Sequence, residues 1–329
     1  MKGSETAAVG VDVAKATLSV FLRAPDGTGE ALSLRNTEAD ASRLAGRLAG
    51  FTGRVVMEST GHYHWTAALA LSAAGLDVRV VNPLLAKKYT SGSVRMVKTD
   101  PAVAAALARM AHVADDLPPR FAMDAERLNL RKKLTSAASA RTQLQALRAS
   151  LRHLAEARGT IHAPLSPAEA AIARSADALE AAVAAMEAEF AEAAAPSADP
   201  AAVAALDSIP GVTRLAALVA LHWFSPSGGP KSWVAYAGLD VSSRESGTWR
   251  GRCRLTKRGN PDLRRRLYSA AWGAAMSDAG FRSYYDRLKE EGSPHVEALT
   301  IIARKIVRLM HLAATTGARY DAALAGFPG

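Results

Sequence analysis

The pattern of apolar residues changes at the pair Pro118 and Pro119, and this change constrains the fold more than any other feature of the sequence. Before the pair, short apolar runs at alternate positions are interleaved with helical patterns, which favours an α/β sheet domain. After the pair, apolar residues recur every three or four positions, which is typical of helices packed on helices. The predicted fold class is therefore α/β plus α.

The segment before the prolines is predicted to be one α/β domain, residues 1–117. In chain order, its predicted elements are a two-stranded hairpin over 7–22 with a break at Ala14–Lys15, a helix near 37–49 opened by Asn36 or Thr37, a strand over 54–58, a helix over about 64–74, and a strand over 77–81. Strands and helices that alternate in this way form a sheet covered by helices.

Residues 118–199 are predicted to form a helical coiled-coil arm. Apolar residues at spacings of three and four give its first helix one stripe. The stripe comprises Leu130, Leu134, Ala137, Leu144, Leu147, Leu151 and Leu154. Pro164 and Pro167 break this helix, and the alanine-rich residues 169–192 predict a second helix that returns beside it. We interpret the arm as a self-association element and place the mostly helical third domain at 200–329.

Positive charge is concentrated in this third domain. The chain has 41 Lys and Arg against 31 Asp and Glu, and residues 244–266 contain nine basic and two acidic residues. Neutralising phosphates with such a stripe releases counterions, so nucleic acid is the expected partner. The alternative is a solvated basic face. Trp233, Tyr236 and Trp249 near the stripe suit base stacking, although aromatic residues at these spacings are more often part of a core.

Cys253 is the single cysteine, so no internal disulfide is expected, as in a reducing compartment. Glu5 and Asp12 interrupt the region where a signal peptide is apolar, and no run approaches the roughly 18 apolar residues of a membrane helix. Neither a zinc-ligand spacing nor a glycine-rich nucleotide loop is present. We therefore expect a cytoplasmic protein without a membrane span.

Three acidic residues stand at the ends of predicted elements. Asp12 lies in the first strand, Glu58 ends another strand, and Asp100 precedes Pro101 at a predicted helix start. Carboxylates at strand ends are well placed to share a divalent cation, because Mg²⁺ prefers oxygen ligands and keeps positions open for phosphate oxygens. The alternatives are that these carboxylates cap helices or pair with neighbouring basic residues.

Ser246 differs from the other loop serines in its surroundings. Six basic residues lie within twelve residues of it: Arg244, Arg250, Arg252, Arg254, Lys257 and Arg258. They would bind an incoming phosphate and stabilise its developing charge. Ser242 and Ser243 are rival candidates, and no histidine is adjacent to activate a hydroxyl.

Asn260, Pro261 and Asp262 predict the start of a helix, with Asn260 as its cap. A buried stripe of Leu263, Leu267, Ala270 and Ala274 then leaves the three basic residues between Leu263 and Leu267 to spread over the remaining surface. These residues are Arg264, Arg265 and Arg266.

Several short motifs together resemble one protein family. In the first domain they are Gly10–Lys15, Met57–Gly61 with His64 and Trp65, Val81–Pro83 and Lys98–Asp100; in the third they are Ile209–Gly211, Ala235–Leu239, Ser246–Gly247, Thr256–Asn260 and Leu263–Arg264. In this order and spacing they resemble the DEDD transposases of the insertion sequence 110 family. The resemblance covers nearly the whole chain.

The resemblance implies a recombinase that moves its own element. The expected first domain has a RuvC-like ribonuclease H fold, in which Asp12, Glu58 and Asp100 hold Mg²⁺ or Mn²⁺. Ser246 would attack a DNA phosphodiester and form a 5′-phosphoserine link. The expected partners are the element ends and target DNA, a structured bridge RNA that guides their choice, and further copies of the chain in a dimer of dimers. The family implies bacterial, nucleoid-associated function. The residues expected to bind nucleic acid are Arg244, Arg250, Arg252, Arg254, Lys257, Arg258, Arg264, Arg265 and Lys98.

One position departs from the family pattern. Val103 stands where the resemblance places a fourth acidic ligand, three residues after Asp100. A valine cannot coordinate a cation, so either catalysis is impaired while binding is retained, or three carboxylates still hold one metal ion. Two other functions stay open: a RuvC-like nuclease without serine chemistry, and an inactive nucleic-acid-binding protein.

Overall fold

The computed structural model describes residues 5–59, 61–90, 100–115, 117–224, 228–242, 245–246, 249–250, 254–323 and 326. They form two compact units, Met1–Asn129 and Leu130–Gly329. The first unit is a sheet with helices and the second is mostly helical, which confirms the predicted class. Among the described residues, no helix is both long and apolar enough to cross a membrane.

The sheet of the first unit has five strands. In chain order they are β1 (Ala8–Val13), β2 (Thr17–Arg23), β3 (Gly29–Arg35), β4 (Arg54–Glu58) and β5 (Asp77–Val81), and in space the order is β3-β2-β1-β4-β5. Strands β1, β2 and β3 pair antiparallel, whereas β4 runs parallel to both β1 and β5. The carboxyl ends of β1 and β4 therefore lie at the same edge of the sheet.

Helices cover both faces of this sheet. They are α1 (Glu38–Arg47), α2 (Trp65–Ala73), α3 (Pro83–Thr90) and α4 (Asp100–Val113). Val9, Val11 and Met57 pack in one core with residues of α1 and α2. Ala8 and Val56 face the other way and pack in a second core with residues of α3 and α4. Alternate residues of one strand thus face different helices.

The predicted hairpin and the strands over 54–58 and 77–81 are confirmed. Strand β3 was not predicted. None of its seven residues is buried, and its side chains alternate between exposed and half-buried positions. An edge strand of this kind carries a weak apolar signal, although its backbone pairs with all seven residues of β2.

The second unit begins with two long helices. The elements, in chain order, are α5 (Ala125–Thr160), α6 (Pro167–Ala194), α7 (Pro200–Asp207), α8 (Arg214–Trp223), α9 (Pro230–Tyr236), β6 (Val241–Ser242), β7 (Glu245–Ser246), β8 (Trp249–Arg250), β9 (Arg254–Leu255), α10 (Pro261–Ser277), α11 (Ala279–Glu290) and α12 (His295–Thr316). The boundary between the two units falls within α5. The three-domain division at 117 and 199 stays a prediction.

Ion pairs show that α5 and α6 run antiparallel, as the sequence predicted. Lys133 pairs with Glu189, and Arg158, much farther along α5, pairs with Glu169 near the start of α6. The stripe of α5 is buried at Leu134 but exposed at Leu154, where 46% of the surface is accessible. Self-association through this arm stays a prediction.

Candidate active site and nucleic-acid interface

Asp12 and Glu58 occupy equivalent positions on neighbouring strands. Gly10 pairs with Val56 and Val11 with Met57, so the parallel register brings Asp12 and Glu58 side by side at the carboxyl ends of β1 and β4. Both are even-numbered, like Ala8 and Val56, and therefore lie on the sheet face that α4 covers. Both side chains are half-buried.

Helix α4 brings Asp100 to the same end of the sheet. The guanidinium of Arg54, the first residue of β4, donates hydrogen bonds to the carbonyl oxygens of His112 and Ala114 at 3.3 and 2.6 Å. The carboxyl end of α4 thus lies beside the start of β4, and its amino end lies toward Glu58. Asp100 is the first residue of this helix, so all three predicted acids lie toward one edge.

The contact of α4 with Gly10 fixes how far Asp100 lies along the direction of β1. A Cβ atom on Gly10 would lie 2.0 Å from the Ala104 oxygen, so only glycine allows this approach. Asp12 is about 7 Å beyond Gly10 along the strand, and Asp100 is about 6 Å before Ala104 along the helix. Asp12 and Asp100 therefore lie at similar distances from the contact between Gly10 and Ala104, one along the strand and the other along the helix.

Val103 lies on the buried face of α4. Only 7% of its surface is exposed, and it packs in one apolar cluster with Ala8, Val56, Val81 and Leu107. The position that the resemblance assigns to a fourth ligand therefore contributes an aliphatic contact between helix and sheet. The buried environment agrees with a valine better than with an unpaired carboxylate.

The chemistry of the acidic donors fits a divalent cation. Asp12 and Glu58 supply carboxylate oxygens at adjacent strand ends, and hard oxygen donors are those that Mg²⁺ prefers. Within the part of the chain that the structure describes, no three histidine, cysteine or acidic side chains come together as a ligand group. The candidate centre is thus a pair of carboxylates, with Asp100 on the helix nearby.

Asn36 ties together the loops that follow the two acidic strands. Its amide nitrogen donates to the backbone oxygens of Ala14 and Tyr63 at 3.0 and 2.9 Å. Sequence reasoning proposed Asn36 only as a helix opener, and the structure gives the cap of α1 to Thr37, whose hydroxyl accepts from the Asp40 N–H. The local sequence Asn36-Thr37 does not indicate hydrogen bonds to residues 22 and 27 positions away.

Ser246 lies in a short hairpin within the basic segment. In this hairpin β7 pairs antiparallel with β8, so that Ser246 lies opposite Trp249 and Glu245 opposite Arg250. Strands β6 and β9 pair outside it, with Val241 opposite Leu255. The structure describes the backbone of Ser246, Arg250 and Arg254; Arg244, Arg252 and Lys98 lie outside the described residues.

The two ends of the serine-bearing segment are joined at its base. The Thr256 N–H donates to the Asp240 oxygen at 2.8 Å, and the Asn260 N–H donates to the Tyr236 oxygen at 2.7 Å. A Cβ atom on Gly259 would lie 2.0 Å from that same Tyr236 oxygen, so the two segments of the chain are in direct backbone contact here. We call this base, Tyr236–Asp240 with Thr256–Asn260, the clasp.

The clasp contains two exposed basic residues, Lys257 and Arg258. Lys257 has a φ of +51°, in the left-handed region that side chains with a Cβ rarely adopt. Such strain persists where the surrounding structure imposes it, and it often marks functional segments. Here the paired strands and backbone contacts on both sides of Lys257 impose it.

Asn260 also caps α10, as predicted, by accepting from the Asp262 and Leu263 N–H groups. The expectation that Arg264, Arg265 and Arg266 spread over free surface is wrong for Arg266. Its side chain is 9% exposed, and its guanidinium lies between Asp262 and Glu187, at 3.1 and 2.6 Å. A carboxylate 79 residues away in sequence makes this burial possible.

The other two arginines also bind groups of the protein. Arg264 donates to the Ala237 oxygen of the clasp at 3.2 Å, and Arg265 pairs with Asp262 at 2.6 Å. Burial lowers the pKa of the Arg264 guanidinium, which stays charged at neutral pH nonetheless. Of the aromatic residues considered for base stacking, Trp233 is 2% exposed and stacks on Phe224 in the core.

Two family models match this chain. Residues 9–157, which carry the three acids, match the family model of the DEDD transposase domain of IS110 elements, described as "Transposase". Residues 203–286, which include the clasp and Ser246, match the family described as "Transposase IS116/IS110/IS902 family".

One curated relative comes from Streptomyces coelicolor and is named "Insertion element IS110 uncharacterized 43.6 kDa protein". It is 30% identical over 88 residues, which are 27% of this chain and 22% of the relative. The match thus spans about a fifth of that relative's length. The two family matches together cover more than half of the chain, in the order that the motifs indicated. The chain therefore belongs to the IS110 family of transposases.

Proposed function

We propose that this chain is the transposase of an insertion element and cuts and rejoins DNA with Mg²⁺ held by Asp12, Glu58 and Asp100. The observation that carries the proposal is the register of β1 and β4, which brings Asp12 and Glu58 side by side at one sheet edge. The amino end of α4 lies toward that edge, and a DEDD transposase match covers the same residues. Bound Mg²⁺ would act there as a Lewis acid on a phosphate oxygen.

We propose Ser246 as the nucleophile. Its hydroxyl oxygen forms a bond to the phosphorus of a DNA phosphodiester, and the bond from phosphorus to the 3′ oxygen breaks. The serine proton is lost, the 3′ oxygen gains a proton, and the 5′ phosphate stays linked to the serine. The hairpin of β7 and β8 and the clasp beneath it support this role, because they fix the backbone that carries the serine.

The basic residues around this hairpin are proposed to bind nucleic acid. Lys257 and Arg258 are exposed, and Arg250 and Arg254 lie on the paired strands. We extend the proposal to Arg244, Arg252 and Lys98 from the sequence alone. Arg264 and Arg265 already bind groups of the protein, so their contact with nucleic acid stays a prediction.

Two partners follow from the family resemblance. We propose that a structured bridge RNA guides the choice of donor and target DNA, and that the chain acts as a dimer of dimers. The excess of basic residues supports a nucleic-acid partner. The partly exposed apolar stripe on α5, represented by Leu154, supports self-association.

The burial of Val103 favours a second candidate, a protein that binds nucleic acid without cutting it. Its side chain packs in the apolar cluster under α4 and adds no ligand to Asp100. Two carboxylates and a nearby third hold a cation less firmly than four do. In this reading DNA binding persists, falls with salt, and leads to no strand cleavage.

A strand-cleavage assay separates these candidates from a plain nuclease. Purified protein, co-expressed RNA and a supercoiled plasmid carrying the element ends are incubated with Mg²⁺ or with EDTA. We expect Mg²⁺-dependent cleavage that is lost in Glu58→Gln and in Ser246→Ala and kept in the surface control Glu38→Gln. Cleavage that survives Ser246→Ala identifies the nuclease, and binding without cleavage, even in Val103→Asp, identifies the binding protein.

A further inference from the structure

Three aromatic rings meet on the surface of the second unit, and none of these three residues takes part in the proposed chemistry. Trp272 lies on α10, Tyr285 on α11 and His295 at the start of α12. The Trp272 ring lies 5.3 Å from the His295 ring and 6.5 Å from the Tyr285 ring, each at 82°. The Tyr285 hydroxyl and the His295 Nδ1 share a hydrogen bond of 2.7 Å, which fixes both supporting rings.

Trp272 and His295 are exposed, whereas Tyr285 is half-buried. Trp272 keeps 44% of its surface accessible, Met276, one turn later on α10, keeps 43%, and Val296, which follows His295 in sequence, keeps 61%. Contiguous exposed apolar surface marks binding sites more often than scattered residues do. A tryptophan that is held by two rings and still accessible offers a rigid aromatic surface to a ligand.

Basic side chains border the trio. Arg282, one turn before Tyr285, donates to the Ala275 oxygen at 2.5 Å and approaches the Met276 sulfur at 3.4 Å, beside Trp272. Lys289, one turn after Tyr285, donates to the Ser293 oxygen at 2.9 Å, close to His295. Both are exposed, and helical spacing places them on the same face of α11 as Tyr285.

Aromatic surface flanked by cations is complementary to single-stranded nucleic acid. A base presents a flat face to a ring, and the phosphates on its two sides carry negative charge. A duplex hides its base faces in the stack. A purely protein partner would need no cation on either side of the rings. Acidic residues also lie close to the trio in sequence, namely Asp286, Glu290, Glu291 and Glu297, so the positive charge at this surface comes from individual side chains and not from a net basic segment.

We propose that Trp272, supported by Tyr285 and His295, stacks on an unpaired base of a nucleic acid strand, with Arg282 and Lys289 binding the adjacent phosphates. The inference rests on the proposed function in so far as that function makes nucleic acid the partner. It assigns a site that lies apart from the acids and from Ser246 in sequence. The shared chemistry, an unpaired base, occurs in melted DNA and in loops of RNA.

Equilibrium binding tests this site. Labelled oligothymidylate, oligouridylate and a duplex, each of about 15 nucleotides per strand, are titrated with the full chain in EDTA, and anisotropy is recorded. We expect Trp272→Ala to weaken binding of single strands about 5- to 100-fold and to leave duplex binding unchanged, with Trp272→Phe restoring most of the loss. Leu312→Ala, at an exposed apolar position 17 residues beyond His295 on α12, is the matched control and should bind as the parent does.

Equal affinities of the parent and Trp272→Ala for both single strands would overturn the proposal. A fall in assembly mass by light scattering in both Trp272→Ala and Val296→Ala, without a selective loss of single-strand binding, would also overturn it and assign the surface to a second copy. The strand with the larger loss, DNA or RNA, identifies the source of the base. A covalent-adduct assay at saturating DNA reports on Ser246 separately, so failure of either proposal is recognised by itself.

Discussion

The side-chain amide of Asn36 donates a hydrogen bond to the backbone oxygen of Ala14 at 3.0 Å. Ala14 follows Asp12 by two residues, and a second bond from the same amide reaches the Tyr63 oxygen in the loop after Glu58. One side chain therefore links the two loops that leave the acidic strands. This link would fix the separation of the carboxylates at the sheet edge.

Replacing Asn36 with aspartate should disturb this edge, because aspartate keeps the shape but loses both N–H donors. We expect Asn36→Asp to lower the free energy of unfolding by about 1–3 kcal/mol and to raise the Mg²⁺ concentration needed for half-maximal cleavage. Urea unfolding and a Mg²⁺ titration measure the two effects. An unchanged Mg²⁺ requirement would show that the link is structural only.

Replacing Val103 with aspartate should make stability depend on a divalent cation. The new carboxylate enters the apolar cluster of Ala8, Val56 and Val81, where an uncompensated charge is costly. We expect the melting temperature of Val103→Asp in EDTA to fall by several degrees and Mg²⁺ to restore part of the loss. Val103→Ala leaves a cavity without a charge, so Mg²⁺ should not restore its melting temperature. An equal effect of Mg²⁺ on both variants would show that a carboxylate at position 103 does not reach the bound cation.

Replacing Lys257 with glycine should separate its backbone role from its charge. Glycine adopts the φ of +51° without strain, so the variant should be at least as stable as the parent. Its affinity for DNA should fall, and the slope of log affinity against log salt should decrease by about one. Lys257→Val should instead lose stability. A salt slope unchanged in Lys257→Gly would exclude a phosphate contact.

Acid should destabilise the first unit through Asp40. The Arg35 N–H, helped by the Arg35 and Arg43 guanidinium groups, holds the pKa of this carboxyl below its ordinary value. A lowered folded-state pKa gives stability that is present above the unfolded-state pKa and lost as pH falls toward the folded-state value. Urea midpoints between pH 6 and pH 3 should fall less steeply in Asp40→Asn. Parallel pH profiles would contradict this role.

The elements that could be predicted from the sequence are those whose buried residues form a regular apolar pattern along the chain. Strands β4 and β5 were predicted over their observed bounds, because buried and half-buried residues give them a readable pattern. The unpredicted strand β3 depends on backbone pairing at an edge, which leaves little trace in side-chain composition.

Site residues divide in the same way. Asp12 and Glu58 stood out because polar residues at the ends of apolar strands are conspicuous. The role of Asn36 depends on partners 22 and 27 residues away, and the burial of Arg266 depends on one 79 residues away. No local pattern encodes contacts of that range, so sequence reasoning missed the first and placed the second on the surface.

A covalent protein–DNA adduct is the most direct test of the proposed chemistry. The parent protein, Val103→Asp and Val103→Asp with Ser246→Ala are incubated with Mg²⁺, co-expressed RNA and labelled element-end DNA, and the adduct is resolved by denaturing electrophoresis and mapped by mass spectrometry. We expect a 5′-phosphate link to Ser246 that increases when the aspartate is present and disappears when the serine is removed. Confirmed DNA binding with no adduct in any variant, or an adduct on another residue, would contradict it.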